Sequence, residues 1–241
     1  MKIIKTKNYD EMSSVAADIF FLQITTKPDS VLGLATGSSV LGLYENLIKE
    51  HVSGNLDFSN IKTINLDEYA GLGKTHDQSY RYYMDNNLFK HVNIKPENTH
   101  LPDGLAKDMK AECKRYNTLI ENFGGADLQL LGLGLNGHIG FNEPGDVFTK
   151  ETHLVDLEES TIKANARFFA DEKDVPRQAV TMGIQNIMQA QKIVLCVSGK
   201  QKAKIVKEVL SGDITPKVPG SILQLHPDLT VVADEEALHE L

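Results

Sequence analysis

The sequence lacks any long hydrophobic run, since no apolar stretch approaches the roughly eighteen residues that span a membrane. Its first residues, MKIIKTKNYDEMSS, also lack the apolar core of a signal peptide. Cysteine is scarce: Cys113 and Cys196 lie far apart in segments with a regular apolar pattern. We interpret both as reduced thiols that pack in the interior, rather than as a disulfide or metal ligands. These absences predict a cytoplasmic protein without a membrane segment.

Positive charge is in deficit as well, because 33 acidic residues outnumber 25 basic ones and give a formal net charge of -8. Such a balance argues against nucleic acid as a partner. An anionic ligand would have to be captured by a local cationic pocket, because the overall field repels it. The 241 residues are otherwise of ordinary globular composition, with 41% hydrophobic residues, and predict one domain.

Short β-type runs alternate along the chain with longer helical patterns. The predicted strands are Ser30–Ala35, Ile61–Leu66, Asp127–Leu133, Thr152–Leu157, Lys192–Val197 and Leu229–Ala233. The predicted helices are Asp10–Thr25, Val40–His51, Ser79–Phe89, Leu105–Phe123 and Gln201–Leu210. This alternation predicts a single α/β domain over 1–241, with a mainly parallel sheet and helices on both faces. The irregular, charged stretch 145–176 is expected to form a mobile cover.

Four polar clusters directly follow predicted strands: ATGSS, LDEY, LNGHIGFNE and SGKQK. In parallel α/β sheets, ligands bind beyond the carboxyl ends of the strands, where the chain turns into the next element. The four clusters are therefore expected to meet at one edge of the sheet and to form one site.

The first cluster places Thr36, Gly37, Ser38 and Ser39 between a strand and a helix. Backbone amides at a helix start, together with hydroxyl groups, suit a phosphate or a similar anion. It is not a nucleotide P-loop, because no Gly-Lys-Ser/Thr follows. A helix cap with a tight turn is the alternative interpretation.

The second and third clusters carry acid–base groups. Asp67 and Glu68 end an apolar strand, where partial burial would raise a carboxyl pKa and make a general base; a solvated loop pair is the alternative. His138 and Glu143 share one glycine-rich loop, which is otherwise interpreted as an Asn-Gly turn with a hydrogen-bonded histidine. A metal site that adds Asp67 or His76 is a further alternative, disfavoured because no paired-histidine spacing is present.

Two cations complete the predicted site. Arg167 in ANARFF and Lys202 in SGKQKA would offset the negative field locally, although solvated helix positions are the usual place for such residues. Tyr82 and Tyr83 are interpreted as residues that pack a helix, not as substrate contacts.

Taken together, LATGSS, NLDEY, SYRYYMDNNLF, LGLGLNGHIGFNEPG, ANARFF and SGKQKA resemble the glucosamine/galactosamine-6-phosphate isomerase family, in the short, non-allosteric bacterial form of its deaminases. The resemblance implies a Rossmann-like fold shared with ribose-5-phosphate isomerase and CoA transferases. It also implies a hydrolase of amino-sugar catabolism that converts glucosamine 6-phosphate and water to fructose 6-phosphate and ammonia. No cofactor or metal and no membrane partner is implied; the expected partner is the sugar phosphate, and the expected assembly is a monomer.

The resemblance also implies roles for individual residues. Asp67 would accept the proton at C2, while His138 and Glu143 would open the sugar ring. Asn136 replaces the aspartate of many members; its carbonyl is expected to accept the imidazole N–H and to orient the ring, leaving Glu143 as the main carboxylate support. The implied phosphate ligands are Thr36, Gly37, Ser38, Ser39, Arg167 and Lys202.

Two other functions fit part of this sequence pattern. 6-Phosphogluconolactonases share the implied fold and a Gly-His loop, but continue differently after the histidine. The sugar-phosphate sensor domains of bacterial repressors also share the fold, yet such a domain has no reason to keep Asp67, His138 and Glu143 together.

Overall fold

The computed structural model describes residues 1–166, 169, 171 and 174–241, and its largest feature there is a parallel seven-stranded sheet. The strands of this sheet are β1 (Lys2–Thr6), β2 (Val31–Leu34), β3 (Lys62–Asn65), β5 (Thr99–His100), β6 (Leu128–Leu131), β9 (Ile193–Val197) and β10 (Leu229–Asp234). They lie in the order β1-β10-β9-β6-β2-β3-β5, and every neighbouring pair is parallel. The predicted α/β, Rossmann-like fold is confirmed.

A smaller antiparallel sheet lies beside the first. It consists of β4 (Asp67–Tyr69), β8 (Gln178–Thr181) and β7 (His153–Asp156), in the order β4-β8-β7. Because β4 follows β3 after one residue, the chain passes directly from the large sheet into the small one. The small sheet therefore begins at the carboxyl edge of the large sheet.

Helices connect the strands: α1 (Tyr9–Thr26), α2 (Leu41–Val52), α3 (Tyr80–Asn87), α4 (Met109–Asn122), α5 (Glu159–Ala166), α6 (Ile184–Met188) and α7 (Ala203–Ser211). Side chains at their N-termini accept otherwise unpaired N–H groups. Asn8 accepts the Glu11 N–H of α1, and Asp108 accepts the N–H groups of Lys110 and Ala111 in α4. This cap explains why α4 begins at Met109, later than predicted.

The interior is divided between the two sheets. Strands β2, β6 and β9 are buried along their whole length. For β2 and β9 this agrees with their nearly continuous apolar sequences, which are typical of strands covered on both faces. A second, smaller cluster packs around Tyr69, Phe141 and Leu157 against the antiparallel sheet. Cys113 and Cys196 are buried and unbridged, which confirms their interpretation as packing thiols.

The connections reverse direction between β2 and β6. From β2 the chain continues to β3 and β5 on one side, whereas from β6 it continues to β9 and β10 on the other. The two loops that leave these strands therefore diverge, and the crevice between them is where doubly wound sheets bind ligands. The loops are the ATGSS and LNGHIGFNE clusters.

All six predicted strands form, with ends within two residues of the prediction. Thr152–Leu157 corresponds to β7 and joins the antiparallel sheet, and β1, β4, β5, β8, α5 and α6 were not predicted. The stretch 145–176, expected to be irregular, contains the helix α5 in addition to the predicted strand β7. Its residues 167, 168, 170, 172 and 173 lie outside the described residues, and both the mobile cover and the single domain over 1–241 stay predictions. Within the described ranges, no helix is long and apolar enough to cross a membrane.

Candidate functional site

The loop that follows β2 is built to present backbone amides. Gly37 has φ +99°, in the left-handed region that favours glycine, and it turns the chain into a short 3-10 helix, Ser38–Val40, that leads into α2. The first N–H groups of a helix have no partner within it, and they are directed along the helix axis toward its start. With the side chain of Thr36 beside them, these amides suit an anion.

Two tyrosines from other helices hold the carbonyl groups of this loop. The Tyr83 hydroxyl of α3 donates to Gly37 O at 2.8 Å, and the Tyr9 hydroxyl of α1 donates to Ser38 O at 2.8 Å. The Tyr9 oxygen also accepts the Gly42 N–H at 2.9 Å. Our interpretation of Tyr83 as a packing residue missed this contact, which no periodicity in the sequence indicates.

A lysine lies beside the same crevice. Lys202 follows β9, donates to Leu133 O in the loop after β6, and has its pKa lowered to about 8 by burial. That loop also approaches the first one, since a Cβ added at Gly132 would lie 3.9 Å from the Ser39 Cβ. The loops after β2, β6 and β9 therefore adjoin, as predicted from the clusters. The second predicted cation, Arg167, lies outside the described residues.

The loop after β6 holds the imidazole against its own backbone. A Cβ at Gly134 would lie 2.3 to 2.5 Å from three ring atoms of His138, so the ring occupies the space that any side chain at 134 would need. The Gly134 N–H donates to His138 O at 2.9 Å and closes the turn. His138 Nδ1 lies 3.3 Å from Oε2 of Glu143, whose side chain is 6% exposed.

Asn136 contacts both partners, but not in the way that we expected. Its Nδ2 donates to Glu143 Oε2 at 2.7 Å, and its Oδ1 accepts the backbone N–H of His138 at 3.2 Å. We expected its carbonyl to accept the ring N–H, and this detail was wrong because the Glu143 carboxylate lies beside Nδ1 instead. Asn136 thus positions Glu143 and the backbone of His138.

Asp67 is buried in β4, with 6% of its surface exposed. Burial, and secondarily the neighbouring Glu68 carboxylate, raises its pKa to about 8. Thr181 of β8 lies opposite Asp67 and accepts the Phe141 N–H at 3.0 Å through its hydroxyl. A Cβ at Gly140 would lie 3.6 Å from Asp67 Oδ2. The antiparallel sheet therefore holds the histidine-bearing loop next to Asp67.

Glu68 has a different position, because successive side chains of a strand point to opposite faces. Only 2% of its surface is exposed, and its carboxylate accepts the N–H groups of Tyr69, Tyr80 and Arg81, each at 2.9 Å. Burial raises its pKa to about 7, while these hydrogen bonds lower it. Glu68 thus caps the N-terminus of α3 next to Asp67.

The metal alternative receives no support from the described residues. Among them, no group of three or more His, Cys, Asp or Glu side chains is arranged to hold a metal ion. His76, the additional ligand considered from the sequence, lies 3.4 Å from the carboxylate of its neighbour Asp77.

The fold and the site together define a class: an α/β protein that combines a loop suited to an anion with an imidazole–carboxylate pair and a buried carboxylate at the carboxyl edge of a parallel sheet. The chain belongs to the family described as glucosamine-6-phosphate isomerases/6-phosphogluconolactonase, whose sequence model matches residues 10–232.

Proteins of two kinds are similar to this chain. A protein of Lachnoclostridium phytofermentans named glucosamine-6-phosphate deaminase is 58% identical over 96% of this chain and 98% of its own length. A solved structure of a monomeric glucosamine-6-phosphate deaminase is 48% identical, with a TM-score of 0.97 and complete coverage of both chains. A 6-phosphogluconolactonase of Thermotoga maritima, 19% identical over 97% of this chain and 98% of its own, shares the fold with a TM-score of 0.75.

Proposed function

We propose that this protein is a glucosamine-6-phosphate deaminase, a hydrolase that converts glucosamine 6-phosphate and water to fructose 6-phosphate and ammonia. The 58% identical relative that carries this name, and the similar structure of a monomeric deaminase, support the proposal. We further infer that it acts in the cytoplasm, as a monomer, in amino-sugar catabolism.

The first step opens the sugar ring. His138 takes the proton from the anomeric hydroxyl and returns one to the ring oxygen, so that the C1 aldehyde forms. Glu143, 3.3 Å from Nδ1, stabilises the imidazolium that exists between the two transfers. Asn136 holds that carboxylate in place through its 2.7 Å hydrogen bond.

The second step moves a proton between carbons. Asp67 as a carboxylate removes the C2 proton while a proton from the substrate's own ammonium group passes to the C1 oxygen, giving an enolamine. Asp67 then returns its proton to C1, giving a protonated ketimine at C2. Water adds to that carbon and ammonia leaves, which yields the ketose. A buried carboxylate whose pKa is raised to about 8 is a stronger base than an exposed one and suits this step.

The phosphate group takes no part in these steps but provides binding energy for positioning. We infer that it lies against the amides and hydroxyls of Thr36, Gly37, Ser38 and Ser39, with Lys202 as the opposite charge. Arg167 is the second cation that the family resemblance implies. Binding energy from this non-reacting group keeps C1 and C2 of the substrate within reach of the acid–base side chains.

The observation that carries the proposal is the position of Asp67, buried beside the loop of His138 and Glu143. Hydrolysis of a lactone removes no proton from carbon, so a lactonase would leave this second, basic carboxylate without a role. A sensor domain would need neither the carboxylate nor the imidazole pair.

The test measures ammonia and fructose 6-phosphate released from glucosamine 6-phosphate, with Asp67→Asn as the variant. We expect equal amounts of both products from the wild type, and at least a hundredfold loss in the variant, in the range of general-base catalysis. Binding without turnover would favour the sensor alternative, and hydrolysis of 6-phosphogluconolactone alone would favour the lactonase. Sedimentation of the protein tests the monomer.

A further inference from the structure

The anion-binding loop is held from behind by two phenols that approach from different helices. Tyr83 of α3 binds the carbonyl of Gly37 and Tyr9 of α1 binds that of Ser38, both at 2.8 Å. These two carbonyls are successive along the chain, and each belongs to the peptide group that precedes a serine of the loop.

The planarity of the peptide bond gives these contacts a consequence for the amides. In a trans peptide, the carbonyl of one residue and the N–H of the next point in opposite directions. The described residues contain no cis peptide bond. Holding the carbonyl of Gly37 therefore fixes the direction of the Ser38 N–H, and holding the carbonyl of Ser38 fixes that of the Ser39 N–H.

We propose that Tyr83 and Tyr9 are positioning residues for substrate binding, which aim the Ser38 and Ser39 amides at the phosphate group of the substrate. The inference rests on the proposed function, since it needs an anion at this loop. Glycine at 37 makes such a device necessary, because its φ of +99° is one of many conformations open to that residue.

Helix α3 also relates the loop to the proposed base. The Glu68 carboxylate holds the first N–H groups of α3, and Glu68 is the neighbour of Asp67 in β4. One turn later the same helix supplies Tyr83. In addition, the ring of Tyr80 stacks on that of Phe141, with centroids 5.9 Å apart and planes at 8°. A single short helix thus sets the distance between the phosphate and the carboxylate that works at C2.

The experiment compares Tyr83→Phe and Tyr9→Phe with Tyr82→Phe in the full-length protein. Phenylalanine keeps the ring and removes only the hydroxyl. Tyr82 is a matched control in the same helix, 38% exposed, with its ring 5.9 Å from the Lys90 ammonium. For each variant, KM and kcat for glucosamine 6-phosphate, the inhibition constant of inorganic phosphate and the pH profile of kcat are measured.

We expect Tyr83→Phe and Tyr9→Phe each to raise KM and the phosphate inhibition constant together, by about three- to tenfold, which is the net worth of one hydrogen bond. The pH profile should stay unchanged, because neither phenol touches the proposed acid–base groups. Tyr82→Phe should leave both constants within twofold of the wild type.

Several results would overturn the inference. One is a phosphate inhibition constant that does not change in either variant. Another is a similar loss in Tyr82→Phe, which would mean that any change in α3 has this effect. If Tyr83→Phe fails to fold, Tyr9→Phe decides alone, because Tyr9 lies in α1. A wild type that neither turns over glucosamine 6-phosphate nor binds inorganic phosphate would remove the proposed function itself.

Discussion

Two neighbouring carboxyl groups in β4 differ in what they touch. Asp67 lies beside the histidine loop, and its pKa of about 8 results from burial and from the charge next to it. Glu68 accepts three backbone N–H groups, which favour its ionised form although burial raises its pKa to about 7. One group is thus available for proton transfer, and the other supplies a structural bond and a negative charge.

This pairing predicts the effect of Glu68→Gln. Glutamine keeps one of the two oxygens that accept the Tyr80 and Arg81 N–H groups, and it removes the negative charge that disfavours ionisation of Asp67. The pKa of Asp67 should therefore fall, and the acidic limb of kcat/KM should move to lower pH. Glu112→Gln is the control, because Glu112 is also buried and accepts a backbone N–H, that of Asp103 at 2.7 Å. An acidic limb at the same pH in wild type and Glu68→Gln would contradict the coupling.

At the scale of elements, the loops at the carboxyl edge are held in place by close packing. The turn after β6 leaves no space at Gly134, because the ring of His138 fills it, whereas Gly132 in the same loop has ordinary space around it. This difference between two nearby glycines provides a test of the ring position.

We expect Gly134→Ala to lower kcat at least tenfold, because a methyl group 2.3 Å from the ring must displace the imidazole from Glu143. The backbone of Gly134 does not have positive φ, so alanine itself adds no backbone strain. Gly132→Ala, whose methyl group would be 3.9 Å from the Ser39 Cβ, should keep kcat within twofold of the wild type. Steady-state kinetics with far-UV circular dichroism as a folding check measures both. Equal kcat values for the two variants would disprove the steric argument.

Elements with a strong local pattern could be predicted from the sequence, and those without one could not. The apolar runs of β2, β6 and β9 indicated buried parallel strands, and the clusters after them indicated the edge of the site. Strand β4 has only three residues, two of them charged, so it shows no recognisable alternation of apolar and polar residues. The sequence LDEY was therefore interpreted as the end of a strand instead of a strand of a second sheet.

The details of the site depended on tertiary contacts. The position of Asn136 is set by a carboxylate seven residues away, and the contact of Tyr83 with Gly37 joins residues that are 46 positions apart. Neither contact can be recognised from the spacing of residues within one helix or strand. Residue types and their places at strand ends therefore indicated which groups meet, but not which atom donates to which.

At the scale of the whole molecule, burial of the Asp67 carboxyl group lowers the free energy of unfolding at neutral and alkaline pH. The folded pKa of Asp67, about 8, exceeds the ordinary value of 3.8. Below pH 4 the carboxyl is protonated in both states and there is no penalty. Between about pH 4 and pH 8 the unfolded chain ionises first, so stability falls as pH rises, and above pH 8 the full penalty is present.

Asp67→Asn should therefore be more stable than the wild type, by a margin that grows from pH 5 to pH 9 to on the order of a few kcal/mol. Urea unfolding at both pH values gives the two differences in the free energy of unfolding. Asp108→Asn is the surface control, because asparagine also caps a helix, and its difference should stay constant with pH. A stability difference for Asp67→Asn that does not change with pH would mean that the pKa of Asp67 is the same in the folded and unfolded states.

The pairing of β1 with β10 affects the order in which parts of the protein can fold during synthesis on the ribosome. Lys2 lies opposite Thr230, so β1 finds its partner only after β10, far along the chain, has been synthesised. Strand β10 also carries Asp234, whose carboxylate accepts hydrogen bonds from the Ser198 hydroxyl and the Gly199 N–H in the loop of Lys202. In a chain shortened before β10, β1 has no partner strand and the loop of Lys202 lacks the Asp234 carboxylate. The position of Lys202 therefore depends on a strand that is synthesised after it.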